Sequence, residues 1–191
     1  KVKVLDPKGN FINEIRKMKP KIVFNSLHGR FGEDGYIQSI LESEKIKYTH
    51  SGVLASSIAI DKEVSKKFFL KKKIKTPKYF VYNYYENINI YNLIKKNRIN
   101  FPIVIKPINE GSSLGVYICT KKNLHKNLKK LEKYNRILIE EYVPGREIQV
   151  AVMDKKALGA IELKPRRKFY DYYAKYSNKA KTKHIMPAPM E

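Results

Sequence analysis

The chain has 191 residues, of which 42% are hydrophobic, and this apolar content supports a packed core and argues against global disorder. Its apolar runs fall short of the ~20 residues that a membrane-spanning helix needs, so we expect no membrane partner. The single cysteine excludes an intramolecular disulfide and a cysteine-rich zinc site.

The formal net charge of +22 raises the possibility of a nucleic-acid-binding protein. The lysines are dispersed through every segment, with only short runs at residues 71–73 and 164–168. Dispersed lysines are typical of a solvated surface, and the richness in Lys, Asn, Ile and Tyr is expected of an AT-rich coding sequence. We therefore favour a protein without a nucleic-acid partner, and a basic nucleic-acid-binding protein is the alternative from a different class.

The first part of the chain has the pattern of an α/β unit. A buried strand is predicted over residues 21–25, followed by a glycine-rich loop over 26–35. Apolar residues at helical spacing then predict helices over 36–44 and 53–60, with a short extended segment between them.

The middle of the chain mixes helices and strands. Thr76 and Pro77 end the helix predicted over 62–73, because the residue before a proline disfavours helical backbone. The predicted elements, in chain order, are a helix over 62–73, a strand over 79–82, a helix over 85–96, strands over 103–105 and 116–119, a helix over 122–134 and a strand over 137–142.

The last part begins with a β-hairpin, whose strands are predicted over 147–153 and 157–163 around a tight turn. Periodicity disappears between residues 164 and 183, which predicts a long, basic, tyrosine-rich loop. Loops of this length in compact domains are usually functional or disordered. An α/β unit, an α+β unit and an opening hairpin together suggest a piece of a longer protein.

The most informative segment is FPIVIKPINEGSSLGV, residues 101–116. A strand ends near Lys106, and a Gly/Ser turn over 110–115 leads into the next strand. Backbone N–H groups and hydroxyls of such a turn can point at an anion, and Lys106 adds a positive charge. The pattern indicates a phosphate-binding loop, but not a Walker loop, because no Gly-Lys-Ser/Thr opens a helix.

This segment and four others together resemble the D-alanine–D-alanine ligases, which are ATP-grasp enzymes. The matching motifs, in family order, are HGRFGEDGYIQS (28–39), SGVLASSIAIDK (51–62), VIKPINEGSSLGV (104–116), LIEEYVPGREIQVAV (138–152) and FYDYYAKY (169–176). Two positions depart from the family pattern: Asn109, where a basic residue is common, and Tyr173, where Glu is common. Neither position is assigned to the chemistry.

The resemblance implies an α/β fold with an α+β central lobe, namely an ATP-grasp fold preceded by a Rossmann-like N-terminal α/β unit. The expected domains are an incomplete substrate-side domain over 1–60, a central lobe over 61–143 and the start of a C-terminal lobe, with a lid loop, over 144–191. The family's N-terminal Gly-rich segment and its C-terminal Mg²⁺ or Mn²⁺ ligands are not among these residues, so we expect no metal ligands in this chain.

The implied reaction uses ATP to phosphorylate one D-alanine to an acyl phosphate, which the amine of a second D-alanine attacks, for peptidoglycan precursor synthesis. The implied longer protein is a cytoplasmic homodimer with D-alanine and ATP as partners. The 191 residues alone are expected to make no dipeptide. A D-alanine–D-lactate ligase, or another ATP-grasp carboxylate–amine ligase, is the alternative within the enzyme class.

The resemblance also assigns nucleotide contacts. The lysines would contact phosphates, the loop would cover them, and the two glutamates would accept hydrogen bonds from the adenine amino group and the ribose hydroxyls. The backbone at Val143, just after the strand predicted over 137–142, would read the adenine edge, and the ring of Phe169 would pack near the nucleotide. In chain order these residues are Lys62, Lys106, Ser113, Glu140, Val143, Glu147 and Phe169.

The remaining assignments concern catalysis and the amino-acid substrate. Ser112 and Tyr176 would form a hydrogen-bonded group, Lys175 would contact the transferred phosphate, and His28 would lie at the first D-alanine. A single lysine in so basic a chain is ordinarily a solvated side chain, and a lone His in a turn is ordinarily structural. These assignments therefore depend on the motifs around them.

Overall fold

The computed structural model describes residues 1–167 and 169–189. The chain divides into two compact units, Lys1–Asp61 and Lys62–Glu191, and each is described here by itself. None of the described helices is long and apolar enough to cross a membrane.

The first unit contains three helices of equal length, α1 (Phe11–Met18), α2 (Tyr36–Ser43) and α3 (Val53–Ile60). The predictions of α2 and α3 are confirmed to within one residue. Helix α1 was not predicted, although its buried residues, Phe11 and Ile15, have the i, i+4 spacing of one helix face. These two side chains pack with Ile37 and Leu41 to form the small core of this unit.

The predicted strand over residues 21–25 is wrong for the described structure. Val23 forms only an isolated parallel bridge with Tyr48, and the Phe24 side chain is 75% exposed. An apolar run can become a sheet strand only where neighbouring strands satisfy its N–H and C=O groups, and the described part of this unit supplies one bridging residue. The apolar pattern was therefore not sufficient to predict a strand.

The second unit begins with α4 (Lys62–Lys71) and then builds a four-stranded antiparallel sheet. Its strands lie in the order β1, β4, β2, β3, and helices α5 (Ile90–Lys96) and α6 (Leu124–Leu131) contribute side chains to the same core. The strand bounds are β1 (Tyr79–Asn83), β2 (Ile103–Pro107), β3 (Tyr117–Cys119) and β4 (Arg136–Glu141).

The register of this central sheet brings candidate residues together. Strand β4 lies between β1 and β2, so Glu140 is opposite Tyr79 on one side and Val104 on the other, while Lys106 is opposite Leu138. Side chains alternate between the two faces of a strand. Lys106 and Glu140 lie two positions apart along the register, so both extend from the same face of the sheet.

Three predicted helices of this unit are shorter in the structure, and the one predicted over 62–73 ends at Lys71. The helix predicted over 85–96 begins at Ile90, because the Asn89 side chain accepts a hydrogen bond from the N–H of Tyr91 at 2.9 Å and caps the helix there. The helix predicted over 122–134 ends at Leu131 and continues only as a 3₁₀ turn.

A second sheet follows, three-stranded and antiparallel, in the order β5 (Glu147–Met153), β6 (Lys156–Lys164), β7 (Lys183–Ile185). The predicted hairpin is confirmed. The prediction of an irregular loop over 164–183 is wrong in part, because it contains the short helix α7 (Tyr172–Tyr176) and a 3₁₀ turn. Such short elements carry no measurable periodicity, and α7 is capped by Asp171, whose Oδ1 accepts from the N–H of Ala174 at 2.8 Å.

Candidate active site

The start of α4 is attached to the Gly/Ser loop. Lys62 Nζ donates hydrogen bonds to the backbone carbonyls of Ile108, at 3.1 Å, and Glu110, and the Lys62 N–H also donates to Ile108 at 3.1 Å. The ammonium group therefore lies at the entrance of the loop. This is the location that a phosphate-side lysine would need.

The loop has an uncommon backbone conformation. Ser112 and Ser113 have φ angles of 51° and 59°, in the left-handed region that few residues other than glycine adopt. Gly115 has φ of 69°, and a Cβ there would lie 2.9 Å from Pro107 Cγ and 3.0 Å from Leu131 Cδ2. Only glycine fits this position without displacing the neighbouring core, so the loop lies directly on the central sheet.

Hydrogen bonds join this loop to the lid segment, which we define as residues 169–176. Ser112 Oγ lies 2.7 Å from Tyr176 Oη, and Ser113 Oγ donates to the carbonyl of Tyr170 at 3.1 Å. Ser112 and Tyr176 are 64 positions apart in sequence. The structure therefore brings together the two residues that the sequence assigned to one hydrogen-bonded group.

Beside the loop, Lys66, Lys106 and Glu140 form what we call the buried charge cluster. Lys106 donates to Glu140 Oε1, and Lys66 Nζ lies 2.9 Å from Glu140 Oε2. Side-chain exposure is 8% for Lys66, 19% for Lys106 and 9% for Glu140. Two ammonium groups share one carboxylate, so the cluster has a formal excess of one positive charge.

Lys66 was not identified from the sequence. It lies four residues after Lys62 on α4, so the two lysines share one face of the helix, and this spacing is the only signal that the sequence carried. Burial lowers the pKa of Lys66, and the hydrogen bond and charge of Glu140 oppose that shift.

The remaining predicted nucleotide residues lie toward the second sheet. Glu147, at the start of β5, is exposed as a residue. Partial desolvation by the surrounding protein nevertheless raises the pKa of its carboxyl, and the charge of Lys175 opposes this shift. Lys175 Nζ also lies 5.2 Å from the centre of the Tyr170 ring. Val143 is 63% exposed in the link between the two sheets.

A cavity of about 850 Å³ lies between the Gly/Ser loop, β3 and the lid segment. Ligand pockets in proteins typically measure ~300–1,000 Å³. Ser113 and Phe169 are the predicted site residues that line it, and the sequence missed its other lining residues, among them Val116, Tyr142 and Tyr173. Apolar and aromatic residues such as these carry no distinguishing signal in a sequence, because the same types fill protein cores.

His28 belongs to the first unit and lines a separate cavity of about 390 Å³. Its Nδ1 lies 4.0 Å from Glu33 Oε1, and Glu33 accepts a hydrogen bond from the N–H of Gly29. Gln38, which the sequence did not single out, is buried against the same cavity and donates to the carbonyl of Gly32 at 2.9 Å. These contacts shape the glycine-rich loop around the imidazole.

No group of three or more His, Cys, Asp and Glu side chains that could hold a metal ion is present within residues 1–167 and 169–189. The carboxylate of Glu140, beside the Gly/Ser loop, is instead paired with Lys66 and Lys106 in the buried charge cluster. The residues described here therefore do not fit a Mg²⁺ or Mn²⁺ site.

The chain is similar to known ligases along its whole length. It is 63% identical over 191 residues to the D-alanine–D-alanine ligase of Pelagibacter ubique. The match covers all of this chain and 62% of that protein. Among solved structures, the D-alanine–D-alanine ligase of Bacillus anthracis matches with a TM-score of 0.77 at 34% identity, over 96% of this chain and 60% of that one. A Bacillus anthracis D-alanine–D-alanine ligase complexed with ATP matches with a TM-score of 0.74 at 27% identity, over 97% of this chain and 58% of that one.

The chain thus spans about three fifths of the length of these relatives. The structural matches confirm the predicted fold class, a mixed α/β architecture of the ATP-grasp type. A family model described as the D-Ala–D-Ala ligase C-terminus matches residues 72–191, more than half of the chain. On this evidence the chain belongs to the D-alanine–D-alanine ligase family.

Proposed function

We propose that this chain provides the nucleotide-binding lobe and the lid of an ATP-dependent ligase that joins two D-alanines to D-alanyl-D-alanine for peptidoglycan synthesis. The observation that carries the proposal is the hydrogen bond between Ser112 and Tyr176, because it closes the lid segment onto a Gly/Ser loop. Residues 61–143 and 144–191 would then be the two lobes between which the nucleotide lies, with residues 1–60 on the substrate side.

The second unit has the groups that an adenine nucleotide requires. The cavity of about 850 Å³ is lined by Phe169 and by the loop that contains Ser113, which supplies an aromatic surface and a hydroxyl. The phosphates would lie at the loop, near Lys62 and Lys106. Positive charge and N–H donors at that position stabilise the charge that develops during phosphoryl transfer.

The base and sugar would lie toward the link between the two sheets. Glu140 would accept a hydrogen bond from the adenine amino group, the backbone at Val143 would read the adenine edge, and Glu147 would accept from the ribose hydroxyls. A carboxylate accepts such bonds through both of its oxygens. Lys66 and Lys106 lie against Glu140, and the charge of Lys175 opposes the rise that desolvation causes in the pKa of Glu147.

The catalytic steps would depend on the lid. ATP supplies the phosphoryl group. Lys175 would contact this group as negative charge develops on it, and Ser112 with Tyr176 would orient the substrates, the first of which is bound by His28. A closed lid also excludes water, which matters because an acyl phosphate hydrolyses.

A metal ion, Mg²⁺ or Mn²⁺, would have its ligands outside the described residues. Homodimerisation, a cytoplasmic location and the absence of nucleic-acid or membrane partners are likewise parts of the proposal for the longer protein. Nucleotide binding is therefore the property that can be tested directly with these 191 residues.

The proposal is tested by calorimetric titration of the chain with ATP. Lys106→Met removes a charged donor at the phosphates. Hydrogen bonds to charged groups are worth ~1.5–3 kcal/mol, so we expect ATP binding to weaken ~10- to 150-fold. Lys126→Met is the matched control, because Lys126 is an exposed lysine on α6, and we expect less than ~2-fold change.

Equal loss of ATP binding in both variants would contradict the proposal and favour non-specific attraction of polyanions to a basic surface. The same titration with a short DNA duplex separates these cases. A nucleic-acid-binding protein would bind the duplex with similar affinity in both variants, since dispersed lysines contribute almost uniformly to phosphate contacts.

A further inference from the structure

Lys66 is an unusual lysine in this structure because its ammonium group is buried and held by three neighbours. It donates hydrogen bonds to Thr76 Oγ1 at 2.5 Å and to the carbonyl of Pro77 at 3.1 Å, and it forms an ion pair with Glu140 Oε2 at 2.9 Å. The ammonium also lies 4.9 Å from the centre of the Tyr79 ring. Lys residues are almost never fully buried unless they are paired.

These contacts prevent Lys66 from binding a ligand itself. An ammonium group has three donors and no acceptor, and here two hydrogen bonds and the ion pair with Glu140 surround the group with protein. Only 8% of the side chain is exposed, against 19% for Lys106. Any effect of Lys66 on a ligand must therefore act through the residue that it holds, which is Glu140.

The two oxygens of Glu140 have different neighbours. Oε2 is buried and is paired by charge with Lys66 at 2.9 Å, whereas Oε1 accepts a hydrogen bond from the more exposed Lys106. If Lys106 turns toward a phosphate, Oε1 becomes available to a donor on the ligand. Glu140 would then be a buried carboxylate with one remaining counterion, and a buried carboxylate without a counterion is strongly disfavoured.

We propose that Lys66 is a positioning residue, which holds the Glu140 carboxylate in one orientation so that the site prefers a base with an amino group over one with a carbonyl group. This inference rests on the proposed function, since it deepens the role given there to Glu140. Lys66 thereby determines base specificity without contacting the nucleotide, while Lys106 exchanges its contact with Glu140 for a phosphate.

The test compares ATP with inosine triphosphate, which carries a carbonyl oxygen where adenine carries its amino group. A carboxylate oxygen that is held in place accepts a hydrogen bond from the amino group and repels the carbonyl oxygen. We expect the unmodified 191-residue chain to bind ATP at least ~10-fold more tightly than inosine triphosphate, and Lys66→Met to reduce that ratio at least ~5-fold.

Two further variants isolate the mechanism. Lys67→Met removes a neighbouring lysine of α4 whose side chain is 63% exposed and paired with Glu63, so we expect the ratio to stay within ~2-fold of the unmodified chain. Glu140→Gln removes the carboxylate itself. Adding Lys66→Met to Glu140→Gln should leave the ratio unchanged, because a residue that acts only through Glu140 has no effect without it.

Circular dichroism shows whether each variant folds. If Lys66→Met does not fold, Thr76→Val takes its place, since it removes one acceptor of the Lys66 ammonium and leaves every charge; a fall of at least ~2-fold in the ratio is then expected. An unchanged ratio in the variant that folds overturns the inference. So does equal weakening for both nucleotides, which is what a purely structural lysine would produce.

The failure of the inference and that of the proposed function are distinguishable. If the unmodified chain binds neither nucleotide, the proposed function is contradicted and the inference with it. If it binds both equally, nucleotide binding is supported but the role of Glu140, and with it that of Lys66, is overturned. A preference for ATP that survives Lys66→Met overturns the role of Lys66 alone.

Discussion

The two sheets of the second unit differ in how their side chains are covered. In the central sheet, Ile103, Ile105, Ile137, Leu138 and Ile139 are each 0% exposed. In the three-stranded sheet, the corresponding large apolar residues are exposed by 53–66%, as in Val150, Val152, Met153 and Leu158. The first sheet is therefore a closed core, and the second presents much of its surface.

The candidate active site uses both environments. The buried charge cluster lies on the central sheet, where low exposure keeps its charges close and weakly screened. Lys175 and Tyr176 are attached to the more open sheet, and Tyr176 remains 46% exposed. We infer that the central sheet contributes stability and a fixed electrostatic environment, while the lid contributes contacts that matter chiefly during the reaction.

The largest difference between the sheets should appear in stability. Ile139→Ala removes a fully buried side chain and should lower the free energy of unfolding by ~2–5 kcal/mol, through lost burial and the cavity that remains. Val152→Ala, at a side chain 66% exposed, should cost ~0.5 kcal/mol or less. Urea unfolding measures both, and equal costs would contradict the division into a closed and an open sheet.

The next effect concerns the lid in a full-length enzyme. Lys175→Ala removes a charge-assisted contact that strengthens as charge develops on the phosphoryl group, so kcat should fall ~30- to 1,000-fold, corresponding to ~2–4 kcal/mol. Steady-state kinetics measures this. Lys179→Ala, at an exposed lysine just beyond the lid segment, is the control and should change kcat by less than ~2-fold. An equally small change for Lys175→Ala would mean that Lys175 is a solvated side chain without a role in the reaction.

A smaller effect is expected from the hydroxyl that joins the lid to the loop. Tyr176→Phe removes the 2.7 Å hydrogen bond with Ser112, which should cost ~1–3 kcal/mol in positioning the attacking amine. A hydroxyl nucleophile should lose less, so the preference of the full-length enzyme for D-alanine over D-lactate should narrow. Competition of the two acceptors in one reaction, followed by mass spectrometry, reports the ratio.

Equal use of D-lactate by the unmodified full-length enzyme would instead favour the D-alanine–D-lactate alternative. A preference that is unaffected by Tyr176→Phe would separate acceptor choice from the contact between lid and loop. Phe169→Leu, which leaves the Ser112–Tyr176 pair in place, is a matched control for the loss of an aromatic contact at the lid.

The smallest effect concerns the acid stability of the open sheet. Arg146 binds both carboxylate oxygens of Glu162, at 3.1 and 3.0 Å, and this hydrogen bonding holds the pKa of Glu162 below its usual value. A carboxyl whose pKa is depressed by folding stabilises the folded state above its unfolded pKa of ~4.3, and that stability is lost as the pH falls through the lower folded value.

Glu162→Gln should therefore reduce stability at pH 7, and the difference from the unmodified chain should shrink below about pH 4. Thermal unfolding as a function of pH measures the difference. Glu86→Gln, at an exposed residue of a 3₁₀ turn, is the control and should show little dependence on pH. A difference for Glu162→Gln that is constant with pH would show that the ion pair does not provide the stability.

The sequence predicted best those features that depend on local pattern. Strand β2 was located from three consecutive apolar residues before Lys106, and β5 to the exact residues Glu147–Met153 from the alternation of its side chains. The alternation in β5 follows from the two-residue period of a strand, and a short continuous apolar run such as that of β2 is typical of a buried strand. Helix α7 was missed, and a strand was predicted where Val23 forms only an isolated bridge. Whether so short a segment becomes a helical turn or a strand depends on the residues that it contacts in the folded chain.

The sequence by itself determined the family motifs, the Gly/Ser loop and the residue types available for chemistry, because these depend on spacing along the chain. Only the tertiary structure decided which of the 40 lysines and arginines matter, by burying Lys66 against Glu140 and leaving most others in water. The physical reason is that the cost of removing a charge from water depends on its surroundings in space, and not on its neighbours in sequence.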